Sequence, residues 1–191
     1  FTAASEKARR VGETSTMPRN YWDWSGRTVS QPEGYRWFCG TAPEHLIFAL
    51  REAMDMLDEE GLEAAFARHR RLADCTRAAV EAWSAVGTME LNALVPAERS
   101  ESITTIRVAE GIDPIALQTV LRDRFNVSLG FGLGQLQGKS FRIGHMGDVN
   151  EPMILGTLAS VEAGFRILGI PHGEGGMAAA VASLAAAHKN A

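Results

Sequence analysis

The hydrophobic residues change their period at Gly87, and that change limits the folds open to the chain. Before it, apolar side chains recur every three to four positions: Leu46, Ile47, Leu50, Met54 and Leu57 up to a stop at Gly61. Leu62, Phe66, His69, Ala73, Val80 and Trp83 then step along one face of a second helix that runs to about Gly87. Gly40-Thr41-Ala42-Pro43-Glu44 opens the pair, with Thr41 placed to cap, Pro43 in the first turn and Glu44 at the positive end of the dipole. After Gly87 the β-branched run Ser102–Val108 reads as a strand, and Asp113-Pro114 caps a helix over Ile115–Phe125. Val127–Leu129 and Lys139–His145 read as two further strands, and Glu151–Leu168 and Met177–His188 as closing helices. The expectation is an α/β chain: a helical pair at 42–87, then a small α/β domain at 88–191 with a short, mostly antiparallel sheet.

One cation stands out in that sheet. In Lys139-Ser140-Phe141-Arg142-Ile143-Gly144-His145-Met146-Gly147, Phe141 and Ile143 alternate with Arg142, so a strand that buries the first two turns the guanidinium to the other side. Its planar fork suits a carboxylate, held by two parallel hydrogen bonds. A salt bridge within its own domain is the competing reading. The spacing Gly130-x-Gly132-x-Gly134 invites a nucleotide-loop reading, but the run leads into another strand rather than a helix, which rejects it. His69 reads as a hydrogen-bonded, half-core histidine rather than a metal ligand, because no second ligand type stands at i+4. Arg68, Arg70, Arg71 and Arg77, interspersed with Glu63 and Asp74, read as a solvated helix face.

Residues 12–40 have little periodicity and hold three of the four tryptophans, with Tyr21-Trp22-Asp23-Trp24 and Tyr35-Arg36-Trp37-Phe38 as aromatic clusters. An arm of that length and composition suits a subunit interface as well as local packing. The formal net charge of −4 argues against nucleic acid as a partner. Cys39 and Cys75 lack zinc or redox spacing, so reduced thiols are expected. The longest charge-free stretch near the end, Gly175–Ala187, is too short to span a bilayer, and no signal peptide is visible. A cytoplasmic protein without membrane partners is expected.

The run Gly138–Gly147 resembles the substrate-carboxylate motif of class V aminotransferases, with serine-glyoxylate and alanine-glyoxylate aminotransferases nearest in pattern. The resemblance extends through Tyr21-Trp22-Asp23-Trp24, Thr41-Ala42-Pro43, Leu50-Arg51-Glu52-Ala53, Glu59-Glu60-Gly61-Leu62-Glu63, Ala67-Arg68-His69, Ala82-Trp83, Arg107–Asp113 and Gly132-Leu133-Gly134-Gln135. It implies the C-terminal part of a fold-type I pyridoxal 5'-phosphate enzyme, with residues 1–41 as the end of a large domain and an interface arm. Arg142 then matches the arginine that holds the α-carboxylate of the substrate, and Thr41 the threonine that reaches the cofactor phosphate of the neighbouring subunit in a homodimer. Phe38 replaces a tyrosine of the alanine-glyoxylate proteins, and Phe38–His45 departs from the Tyr-Thr-Pro-Pro run of the serine-glyoxylate ones. The Schiff-base lysine is expected upstream of Phe1; Lys7, Lys139 and Lys189 do not match it, so no catalytic residue is assigned.

The implied activity is transfer of an amino group from serine or alanine to a 2-oxo acid such as glyoxylate. Two readings stand beside it. One is another class V reaction, with an aspartate, ureidoglycine or pyridoxamine donor or with sulfur removal, the last disfavoured because neither cysteine has the loop context of a desulfurase nucleophile. The other is a non-catalytic binding or assembly module.

Overall fold

A computed structural model describes residues 2–25, 38 and 40–189, and within it the chain divides into two units, 1–59 and 60–191. In the first unit, α1 (Glu6–Thr14) is capped by Ser5, whose hydroxyl oxygen accepts from the Ala8 N–H at 3.2 Å. The helix α2 (Glu44–Glu60) begins three residues after Thr41, and its first backbone bond runs from the Ile47 N–H to the Pro43 carbonyl at 3.0 Å. Pro43 therefore occupies the capping position and Thr41 does not cap. The reason is steric, because proline disfavours the helical conformation at the residue before it, which keeps Ala42 outside the helix. None of the described residues of α2 is buried, and Leu46, Phe48 and Met54 lie exposed. The aromatic pair Tyr21 and Trp22 meets edge to face at 5.5 Å, while Tyr35, Trp37 and Cys39 fall outside the described residues.

The second unit contains the sheet. Helix α3 (Leu62–Trp83) is followed by β1 (Met89–Leu91), β2 (Ile103–Val108), α4 (Pro114–Phe125), β3 (Gly130–Phe131), β4 (Ser140–Gly144), α5 (Glu151–Leu168) and α6 (Gly176–Lys189). The four strands are antiparallel throughout, in the order β1-β2-β4-β3, which makes the chain α/β as the alternation of periods implies. The predicted strand at Val127–Leu129 is corrected to Gly130–Phe131. Asn126 takes a left-handed turn (φ 54°) to end α4, and the Val127 N–H bonds back to the Leu121 carbonyl, so pairing with β4 starts only at Gly130. Three 3₁₀ residues, Ser84–Val86, finish α3 before Gly87, and β1 is a strand that the sequence pattern did not announce.

Hydrophobic burial fixes which way the sheet faces. Met89, Leu91, Ile106, Phe141 and Ile143 are buried on one face with Leu72 and Val80 of α3, Leu117 of α4 and Phe165 of α5. On the other face Thr105, Arg107, Arg142 and Gly144 are partly or fully exposed. At the centre of the core the Trp83 indole stands edge to face on Phe165 at 5.3 Å, and its N–H donates to Glu162 Oε2 at 3.0 Å. The face expected of α3 is only half right: Ala73, Val80 and Trp83 are buried, whereas Leu62 and Phe66 are exposed.

The arginines of α3 correct a second expectation, since only Arg70 is solvated as a helix face would be, at 69% exposure. Arg68 is bidentate to Glu60 at 2.6 and 2.7 Å, and its Nη1 donates to the carbonyls of Gly147 and Val149 at 2.8 Å each. Arg71 pairs with Glu151 of α5, and the buried Arg77 donates to the Ser100 carbonyl at 2.6 Å. A guanidinium has five donors, enough to hold a helix acid and loop carbonyls together, and periodicity along one helix shows neither partner.

His145, completely buried at the end of β4, is a second polar strut. The Glu101 carbonyl can only accept, so Nδ1 carries the proton at 3.0 Å and Nε2 accepts from the Thr104 hydroxyl at 2.9 Å. Burial pushes its pKa down to about 4, helped by the nearby charges of Arg77 and His69 and opposed by the bond to Glu101. Cys75 is a buried free thiol whose pKa burial raises to about 11, which makes it inert.

Two measurements test this packing. A Cβ at Gly176 would stand 2.5 Å from Trp83 Cδ1 and 2.6 Å from Cε2, so Gly176→Ala should lower stability in urea by about 1–3 kcal/mol. Gly156→Ala on α5, whose Cβ meets open space, should be neutral or stabilising by about 0.5–1 kcal/mol. Because the folded His145 has a lower pKa than the unfolded value of 6.5, its contribution is present above pH 6.5 and lost as pH falls toward about 4. Unfolding free energies from urea titrations should fall across that window by an amount on the order of 2 kcal/mol, and His145→Gln should remove that slope.

Candidate functional site

The pleat brings Arg142 to the middle of the open sheet face. It lies on β4 between Thr105 of β2 and Gly130 of β3, both directly opposite it in register. Its flanking residues Phe141 and Ile143 are 0% and 1% exposed, so the backbone beneath the guanidinium cannot rotate without opening the core. The Nε–H donates to the Phe131 carbonyl at 2.7 Å. Among the described residues no carboxylate pairs with Arg142, in contrast to Arg107 on the same face, which meets Glu90 at 3.2 Å. Among those residues neither terminal nitrogen of Arg142 has a hydrogen-bond partner, so one edge of the guanidinium stays open on this face. A planar cation with one edge tied to backbone and the other free is arranged to take a carboxylate in bidentate fashion.

The loop that leaves β4 is fastened by two consecutive residues of α3. Arg68 holds the Gly147 and Val149 carbonyls, and His69 accepts the Gly147 N–H on Nε2 at 3.1 Å while Nδ1 faces the Ala65 carbonyl at 2.6 Å. His69 is thus the hydrogen-bonded, part-buried histidine that its sequence suggested. Gly132, in the turn between β3 and β4, has no room for a side chain: a Cβ would lie 2.5 Å from Ser140 Oγ and 2.7 Å from the Leu136 carbonyl carbon. The glycine run serves this tight turn and passes through one 3₁₀ turn, Gly134–Leu136, into β4, so no α-helix follows it whose N-terminus could receive a phosphate. No group of three or more His, Cys, Asp or Glu residues suited to a metal occurs among the described residues. None of their helices is long and apolar enough to cross a membrane.

Thr41 and Arg142 belong to different units, 1–59 and 60–191. Thr41 is exposed ahead of α2. Phe38, the residue in place of a tyrosine, is 39% exposed. The three lysines, Lys7, Lys139 and Lys189, are all exposed, and none sits in the sheet-face site. Sequence reasoning missed the Phe131 carbonyl and the Arg68 staple, since a backbone acceptor leaves no residue-type signature and an arginine on a helix does not name its partner.

No protein-family model matches the chain. It is 40% identical over 151 residues, 79% of its length, to a serine–glyoxylate aminotransferase of Methylorubrum extorquens, covering 36% of that protein. To an L-aspartate–glyoxylate aminotransferase of Paracoccus denitrificans it is 37% identical over 168 residues, 87% of the chain and 41% of the relative. The crystal structure of a pyridoxamine-pyruvate aminotransferase from Mesorhizobium loti superposes with a TM-score of 0.80 at 29% identity, over 95% of this chain and 46% of that one. The chain spans less than half the length of the curated relatives it matches. Over that span, the antiparallel sheet flanked by helices and the likeness to these proteins together place the chain in the class V aminotransferase family.

Proposed function

We propose that the chain is the C-terminal part of a pyridoxal 5'-phosphate-dependent transaminase that moves an amino group from serine or alanine to a 2-oxo acid such as glyoxylate. The observation that carries this reading is the free edge of Arg142: a guanidinium tied to backbone through Nε, on an open sheet face, with no acid of its own among the described residues. Donor and acceptor of a transamination share one feature, the carboxylate beside the reacting carbon. One arginine can therefore seat both in turn and hold that carbon in a fixed place.

Pyridoxal 5'-phosphate, when bound, supplies the electron withdrawal that loosens the Cα–H bond. The residues present fit the parts assigned to them. Arg142 binds and orients the carboxylate, while the exposed Thr41 offers a hydroxyl to the phosphate of a cofactor held in the neighbouring subunit of a homodimer. The lysine that binds the cofactor is assigned to no residue of this chain. A cytoplasmic location accompanies this reading. An aspartate donor is the second reading, favoured by the 37% identity to the Paracoccus protein.

In the whole enzyme Arg142→Ala should lower kcat/KM about a hundredfold for donor and acceptor alike, since a charge-assisted bidentate contact is lost. Arg142→Lys should recover only part, because a point charge does not match the fork. Steady-state kinetics with serine, alanine and aspartate would check both substitutions and rank the donors, and an unchanged kcat/KM in Arg142→Ala would remove the role given to this residue.

A further inference from the structure

We infer that β3 is a rest that sets the reach of Arg142, with Gly130 and Gln118 as its positioning residues; this builds on the reading of Arg142 as the carboxylate-binding group. Gly130 stands directly across from Arg142, and its backbone is not in the left-handed region, so no turn requires a glycine there. Space does. A Cβ at Gly130 would lie 3.1 Å from Arg142 Cβ and 3.2 Å from Nε, which means that the arginine side chain lies across the place where a side chain of Gly130 would stand. Folded over in this way, the guanidinium brings its Nε–H to the Phe131 carbonyl at 2.7 Å and presents its outer edge at a fixed height above the sheet. An arginine pushed off Gly130 loses that bond and regains the rotamer freedom of its long side chain.

The rest itself needs support, because β3 is two residues long and pairs only with β4. Gln118 of α4 provides it from the core side. It is 6% exposed, and its Nε2 donates to the Gly130 carbonyl at 2.8 Å. Among the described residues its Oε1 is buried without a partner, which costs stability, so the bond to Gly130 is what this amide accomplishes there. Steric clearance at Gly130, a backbone acceptor at Phe131 and a tether at Gln118 thus converge on one side chain. The ligand class that such a fixed arginine selects is a carboxylate held close against the sheet.

The test uses the whole cofactor-loaded enzyme with Gly130→Ala, Gly130→Val and Gln118→Leu beside Arg142→Ala, reading KM and kcat for the amino acid and for the 2-oxo acid, the melting temperature, and exchange of the Arg142 Nε–H by NMR. The expected result is a rise in KM for both substrates of about tenfold in Gly130→Ala and more in Gly130→Val, with kcat within about twofold and faster Nε–H exchange. Gln118→Leu should raise KM in the same direction even where its melting temperature is unchanged or higher, an outcome that a purely structural role does not produce. If Gly130→Val fails to fold, Gly130→Ala alone decides. Wild-type KM and slow Nε–H exchange in Gly130→Ala, with KM raised in Arg142→Ala, would overturn the role of β3 and leave the carboxylate reading standing. Unchanged kcat/KM in Arg142→Ala would instead overturn the carboxylate reading, and with it the ligand assigned to the rest.

Discussion

Phe141 and Ile143 cannot both enter the core unless Arg142 points away from it. The period of two in a pleated strand makes this a single choice rather than three. Each neighbour is buried to within 1% and packs with Ile106 of β2 and Phe165 of α5 in one continuous core, so slipping the strand by one residue would put a guanidinium into hydrocarbon. Uncompensated burial of that charge costs more than any local rearrangement could return. The orientation of the Arg142 guanidinium is therefore enforced from below by hydrophobic packing, and the groups above the sheet have only to tune it.

Polar struts then hold the ends of that strand. Before it, the tight turn closes where Gly132 leaves room for Ser140. After it, His145 locks between the Glu101 carbonyl and the Thr104 hydroxyl, and Arg68 and His69 fasten the loop at Gly147 and Val149. These contacts link residues 41 to 81 positions apart, and the buried one between His145 and Thr104 is costly to break once one partner is removed. The result is a strand held at both ends while its middle residue keeps its guanidinium on the open face.

The first unit has the opposite character. Helix α2 buries none of its described residues, and its apolar residues Leu46, Phe48 and Met54 are exposed. The amphipathic period that identifies the helix is intact, but a period only states that one face is apolar; it does not say what covers that face. In α3 the same ambiguity appears within a single helix: Leu62 and Phe66 continue the apolar spacing yet stay exposed, while Leu72 to Trp83 are sealed by the sheet and by α6.

The amino-acid order alone was enough to announce the helices, the alternation that turns Arg142 outward, the antiparallel α/β layer and the resemblance to class V aminotransferases, because these rest on local periods and on ordered short motifs. It misjudged Thr41 as a cap, set β3 at Val127–Leu129, and took the α3 arginines for a solvated face. Those three depend on where the backbone runs next: a proline ahead of the first helical bond, a left-handed Asn126, and carbonyls of a loop about 80 residues away. Only the tertiary structure decided that Arg142 has a backbone carbonyl and a bare glycine for neighbours rather than an acid, since strand order β2-β4-β3 is a long-range pairing that no local pattern encodes.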